Sequence, residues 1–202
     1  VLLAIDTSTG TSVAVVDRDG VRATRTSADT RGHAEAIGTA IEAVLAEAGI
    51  VAADIDLVAV GMGPGPFTGL RVGIAAARAF ALGRAVRVVP VVSHDAVAFG
   101  ASEPLVVVTD ARRRELAVSR YGTPAPDGLP VRTGGPELVP VAESDAIVHG
   151  SERRIDAATI DAGSLGMLAL ALLDAGAPLP PDDAIYLRAP DVTLSAPKRV
   201  LG

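Results

Sequence analysis

A chain of 202 residues, 49% hydrophobic and 21% charged, has enough apolar content for one or two packed domains and does not read as disordered. It has no cysteine, which excludes disulfides, thiolate metal sites and cysteine nucleophiles together. A net charge of −6 has the wrong sign for a surface that grips phosphates unaided, and the one lysine, Lys198, rules out a Walker-type phosphate loop and Schiff-base chemistry.

Aromatic residues are only 2% of the chain, so Ala, Val and Leu must fill the core, which predicts thin, closely packed layers. Val1–Asp6 is a short apolar run ending in an Asp-Thr-Ser turn. No basic segment precedes it and Asp6 interrupts it, so a signal peptide is not expected. Thr11–Asp17 and Val21–Ser27 read as strands, with Asp19-Gly20 as the hairpin turn between them. From His33 the period changes: Ile37, Ala40, Ile41, Val44, Leu45 and Ala48 recur at helical spacing, and Gly49 closes the helix. Ile55–Gly61 is a buried-type strand, followed by a Gly/Pro loop and a helix from Thr68 to Leu82 stopped by Gly83. That helix is too short to span a bilayer, and it carries Arg71 and Arg78. Val86–Val92 is the next strand, and Ser93 is placed to cap a short helix reaching Phe99.

This order, β-β-β-α-β-α-β-α, predicts an α/β unit with a mixed sheet covered on both faces. A boundary is expected near residues 100–104, dividing a first lobe (1–102) from a second, smaller unit (103–202). In the second unit Leu105–Thr109 and Glu115–Tyr121 read as strands around the Ala111–Arg114 turn. The Pro/Gly-rich stretch Gly122–Pro140 reads as loop, Ala146–His149 as a short strand and Gly163–Ala175 as a helix.

The most informative segment is Gly61-Met-Gly-Pro-Gly-Pro-Phe-Thr-Gly-Leu-Arg-Val-Gly73. Glycines allow close backbone approach, and Thr68 at a helix start stands beside free N–H groups. Two readings stand: a loop that holds or once held a phosphate, or a rigid turn that sets helix packing. Asp6, Thr7 and Ser8 at the end of the first strand, with Gly63, Gly65 and Thr68, are the residues such a phosphate site would use. Asp-Thr-Ser is equally an ordinary hydrogen-bonded turn. In the helix that follows, Gly69, Gly73, Ala77 and Ala81 recur every four residues, forming a small-residue ridge on a helix apolar almost all round. Such a ridge packs either inside the chain or against a second subunit.

The strings Leu3-Ala-Ile-Asp-Thr-Ser-Thr9, Gly63-Pro-Gly-Pro-Phe-Thr-Gly-Leu-Arg-Val-Gly73, Thr109-Asp-Ala-Arg-Arg-Arg-Glu115 and Tyr186-Leu-Arg188, with Arg31-x-His33-x-Glu35, resemble the TsaB/YeaZ family in content and order across nearly the whole chain. Met62, Pro66 and Leu116 are mild departures from its pattern. The resemblance implies an actin-like (ASKHA, ribonuclease H-like) fold with a complete first lobe and a reduced second one, whose tail returns to the first. It also implies a cytoplasmic, non-catalytic partner and activator in tRNA threonylcarbamoyladenosine formation. The partners implied are TsaD in a heterodimer, TsaE, tRNA through the complex, and a second copy when TsaD is absent. No cofactor is implied for the chain alone, with ATP or ADP entering at the level of the complex. The interface implied uses the helices at 33–48 and 68–82, with Ile37, Ile41, Gly69, Gly73, Ala77 and Ala81 as its residues.

The related TsaD carries a His-x-x-x-His metal motif, and the matching stretch here keeps His94 but has Ala98 at the second position. Two histidines at i and i+4 share a helix face and hold one ion; a histidine and a methyl do not. No metal site is therefore expected, and no nucleophile elbow or zinc-protease helix occurs. An independent actin-like nucleotide hydrolase and a metallopeptidase-like protein are the alternative readings.

Overall fold

The computed structural model of the chain describes residues 1–29 and 32–188, apart from the side chain of His33. Arg31 and Lys198, singled out above, lie outside these residues.

β1 (Leu2–Asp6), β2 (Thr11–Asp17) and β3 (Gly20–Ser27) form an antiparallel meander. β4 (Leu57–Gly61) and β5 (Arg87–Val91) extend the sheet in parallel from the other edge of β1, giving the order β3-β2-β1-β4-β5. The unbroken apolar run of β1 follows from burial on both faces. With a period of two, Leu3 and Ile5 enter one layer and Leu2 and Ala4 the other. The first layer holds α1 (His33–Glu47) and α2 (Phe67–Arg84), whose Ile37, Val44, Leu70, Ile74 and Ala77 meet Val13, Val15, Val58 and Val60. α2 does not stop at Gly83: it runs to Arg84, and Ala85 takes the left-handed cap, donating its N–H to the carbonyls of Ala81 and Leu82. Thr68 does not cap this helix either, because Pro66 holds the cap position and no side chain bonds there.

α3 (Ser93–Ala98) follows β5, with Val92 rather than Ser93 at its cap. The second sheet comprises β6 (Leu105–Asp110), β7 (Glu115–Tyr121), β8 (Arg132–Pro140) and β9 (Arg153–Asp156), in the order β8-β7-β6-β9. β8 corrects the reading of 122–140 as loop over its second half, while 122–131 is irregular as expected. Gly and Pro obscure the strand because it is an edge strand with irregular register. At its kink Gly135 has φ 76, and any Cβ there would lie 2.3 Å from the Val118 carbonyl oxygen. The strand expected at Ala146–His149 is likewise absent: Val141–Ala146 forms 3-10 turns, Ile147 plugs the face of the second sheet, and the edge strand is β9.

α4 (Ala162–Asp174) follows the second sheet in sequence but covers the open face of the first, where Leu165, Leu168 and Ala169 meet Leu2, Ala4, Ala14, Val16 and Ala59. Asp161 caps it, accepting from the N–H groups of Gly163 and Ser164. No helix among the described residues is long and apolar enough to cross a membrane.

Candidate functional site

The turn after β1 meets the β4–α2 loop and the start of α3 in a closed polar knot. Asp6 is 2% exposed. Its Oδ1 accepts from the Ser8 N–H at 2.8 Å and the Ser8 hydroxyl at 2.6 Å, and its Oδ2 accepts from the Ser93 hydroxyl at 2.6 Å. Ser93 in turn accepts from the Gly63 N–H at 3.0 Å. Burial pushes the Asp6 carboxyl above the usual carboxylate range, against the hydrogen bonds from Ser8 and Ser93 that hold it down. Gly61 is glycine because a Cβ would lie 1.8 Å from Asp6 Oδ2.

Thr7 ties the same turn to α2: its hydroxyl donates to the Gly69 carbonyl at 2.7 Å and accepts from the Gly73 N–H at 3.0 Å. The expected phosphate residues Asp6, Thr7, Ser8, Gly63 and Gly65 are therefore brought together; Asp6 and Thr7 are hydrogen-bonded within this knot, while Ser8 and Gly65 also border open clefts lined by Pro66, Asp110 and Arg112. Thr68 stands apart, exposed on the first turn of α2. The neighbouring Thr9 hydroxyl, which was not among the expected residues, is buried without a hydrogen-bond partner.

The small-residue ridge is also spent inside the chain. Gly69, Gly73, Ala77 and Ala81 all face the core, and a Cβ on Gly73 would sit 2.2 Å from Thr7 Oγ1. Ile37 is buried and Ile41 packs against the same cluster. Of the six residues expected at a subunit interface, five are buried within the chain and Ile41 is half-buried. A four-residue period shows that a helix is tightly packed but not on which side, and here the partner is the chain's own Thr7. The outward faces carry other residues: Gly38, Glu42 and Ala46 on α1, and Arg71, Ala75, Arg78, Ala79 and Leu82 on α2. Leu82 is 83% exposed, the largest exposure of a big apolar side chain among the described residues.

His94 lies fully buried between the lobes. Its Nδ1 is hydrogen-bonded to the Ser119 hydroxyl at 2.8 Å and its Nε2 to the Thr109 hydroxyl at 2.9 Å. Burial, with a contribution from the Arg132 charge, lowers its pKa to about 3, so the ring is neutral. Both nitrogens are occupied, Ala98 is buried, and no group of three or more metal-binding side chains occurs among the described residues. The site does not fit a metal ion. Sequence gave no sign of Thr109 and Ser119 as the partners of His94, since they come from two strands distant in the chain.

A cleft of about 190 Å³ separates the lobes, lined by Pro66, Phe67, Thr109, Asp110, Tyr186 and Arg188 among others. The Phe67 and Tyr186 rings stand 4.8 Å apart, and the Arg71 guanidinium lies 3.6 Å over Phe67.

Residues 21–124 match the profile of the TsaD family, tRNA N6-adenosine threonylcarbamoyltransferase. An uncharacterized protein of Mycobacterium tuberculosis is 42% identical over 147 residues, which cover 71% of this chain and 67% of that one. The tRNA threonylcarbamoyladenosine biosynthesis protein TsaB of Haemophilus influenzae is 37% identical over 125 residues, covering 59% of this chain and 52% of that protein. YeaZ from Pseudomonas aeruginosa superposes with a TM-score of 0.76 at 21% identity, covering 92% of this chain and 99% of that structure. With an α/β fold shared with YeaZ, the chain belongs to the TsaD family.

Proposed function

We propose that the chain serves tRNA N6-threonylcarbamoyladenosine biosynthesis as a non-catalytic subunit that docks a TsaD-type transferase through the outer faces of α1 and α2. The observation that carries this reading is the exposed surface of Gly38, Ala46, Ala75, Ala79 and Leu82, on two helices whose inner faces are already filled. Both helices lie within the segment that matches the TsaD profile, so a TsaD-type partner would present an equivalent pair. Two such pairs related by a pseudo-twofold axis make a four-helix seam, with small residues allowing close approach.

The closed Asp6 knot and the neutral, fully bonded His94 support a scaffold rather than a catalyst. ATP or ADP, TsaE and tRNA would then enter at the level of the complex, in the cytoplasm, since the chain's own charge of −6 offers tRNA little.

The test is size-exclusion chromatography and modification assays with a TsaD-type protein, using an Ala79→Glu/Leu82→Glu variant. The expected result is a variant that melts like the parent, elutes apart from the transferase and no longer supports modification. A variant that still co-elutes and supports modification would refute the docking face. A parent that pairs only with a second copy of itself would refute the choice of partner.

A further inference from the structure

The two lobes are joined by two unlike sets of contacts. At α3 the join is buried: His94 is hydrogen-bonded to Ser119 and Thr109, and Ala98 packs with Leu105, Val107 and Tyr121. The Tyr121 hydroxyl adds a bond to Asp95 at 2.7 Å. Separating these groups would expose unpaired polar atoms and apolar surface together.

The second join is the segment 182–188, which crosses from the first lobe to the second. On the first lobe the Ile185 N–H donates to the Met62 carbonyl at 2.7 Å, Arg78 pairs with Asp182 at 3.0 Å, and Arg71 donates to the Tyr186 hydroxyl at 3.3 Å. On the second lobe Arg188 donates to the carbonyls of Ala111 at 3.2 Å and Arg112 at 3.1 Å and pairs with Glu115. The Arg78–Asp182 pair is solvated, 49% and 60% exposed, and the Arg188–Glu115 pair is half-buried at the cleft edge, 28% and 33% exposed, with water still reaching both partners. Exposed ion pairs are weak because water and salt replace them readily.

What Arg188 grips is itself strained. Arg112, Arg113 and Arg114 have φ of 66°, 54° and 60°, three successive non-glycine residues in the left-handed region. Each L-residue there carries a steric penalty, and a run of them persists only where surrounding contacts hold it. Of the two carbonyls that accept from Arg188, that of Arg112 opens the run and that of Ala111 immediately precedes it.

We infer that residues 182–188 form a releasable clasp that sets the angle between the lobes, with the buried α3 contact as the pivot. Release of Arg188 relaxes the arginine turn and opens the cleft between Phe67 and Asp110. Small interfaces within a chain allow relative motion unless a large apolar contact prevents it, and here only the α3 side has one.

The cysteine-free sequence allows a direct measurement. Spin labels at Val51→Cys in the first lobe and Val141→Cys in the second, both at exposed positions, report the interlobe distance by pulsed electron resonance. Arg188→Ala should broaden and shift that distance distribution. Amide exchange should rise about tenfold or more at Ile185 and Glu115 together, while α1 and α2 stay protected. A distance distribution matching the parent's, or faster exchange confined to Ile185 and its neighbours, overturns the clasp. If Arg188→Ala does not fold, Glu115→Gln, which removes one partner of Arg188, is judged by the same two readouts.

Discussion

Gly73→Ala tests which way the helix ridge faces. The added Cβ would lie 2.2 Å from Thr7 Oγ1 and 3.0 Å from Thr7 Cγ2. Thr7 is buried, β-branched and stiff at χ1, so it has no room to swing away. Overpacking of this kind costs about 1–3 kcal/mol. Displacing the hydroxyl also weakens its bonds to Gly69 and Gly73, at about 1 kcal/mol each. Alanine returns about 1 kcal/mol of helix propensity, leaving a net destabilisation on the order of 3 kcal/mol. For a chain of this size that is a fall of roughly 6–12 °C in melting temperature. Gly83→Ala is the matched control: it lies on the same helix, with nothing within 4 Å of its Cβ position, and should raise stability by up to about 1 kcal/mol. Circular dichroism melts of both isolated variants decide the matter. A Gly73→Ala chain that melts at or above the parent would refute the internal packing and return the ridge to a subunit interface.

Two further outcomes follow from the buried polar groups. The His94 pKa is depressed in the folded chain, so the unfolded chain takes up that proton first; the group's stabilisation is complete above about pH 6.5 and lost as pH falls toward 3. It contributes a slope of about 1.4 kcal/mol per pH unit in that window. Asp6 and Asp95 are shifted upward by burial and act in the opposite sense, so the measurement is the difference between denaturant melts of the parent and His94→Gln across the window. Parallel curves would count against a neutral His94. Asp6→Ala should cost on the order of 2–4 kcal/mol, because the Ser8 N–H and the Ser8 and Ser93 hydroxyls lose their acceptor in a buried site. Asp6→Asn, which keeps an acceptor, should cost less. Equal urea midpoints for Asp6→Ala and the parent would mean the carboxylate does not hold the knot together.

The first sheet was legible because its strands and helices carry clean periods and their turns carry Gly where the chain reverses, as at Asp19-Gly20. The later sheet was less so. β8 hides behind Gly134, Gly135 and Pro136, where a kinked edge strand tolerates residues that a central strand excludes. β9, Arg-Arg-Ile-Asp, carries charge at three of its positions because it too is an edge, and its pairing with β6 is set by geometry rather than composition. At the candidate site the residues Asp6, Ser8 and Gly63 were recognisable as one neighbourhood, but not that their polar atoms would close on each other. That depends on Ser93, which arrives from another element. The direction of the ridge was illegible for the same reason: Thr7, its partner, is remote in sequence and is one common hydroxyl among several.

The return of α4 to the first sheet fixes an order of events during synthesis. When residue 98 has left the ribosome, Leu2, Ala4, Ala14, Val16, Ala59, Val89 and Val91 still lack the helix that covers them. At translation rates on the order of 5–20 residues per second, Asp174 follows roughly 4–15 s later. During that interval the β6–β7 hairpin is free to pair locally, while the older sheet stays apolar on one side. The nascent chain is thus most prone to aggregate midway through its synthesis, and a fragment ending before Ala162 would keep that bare face permanently.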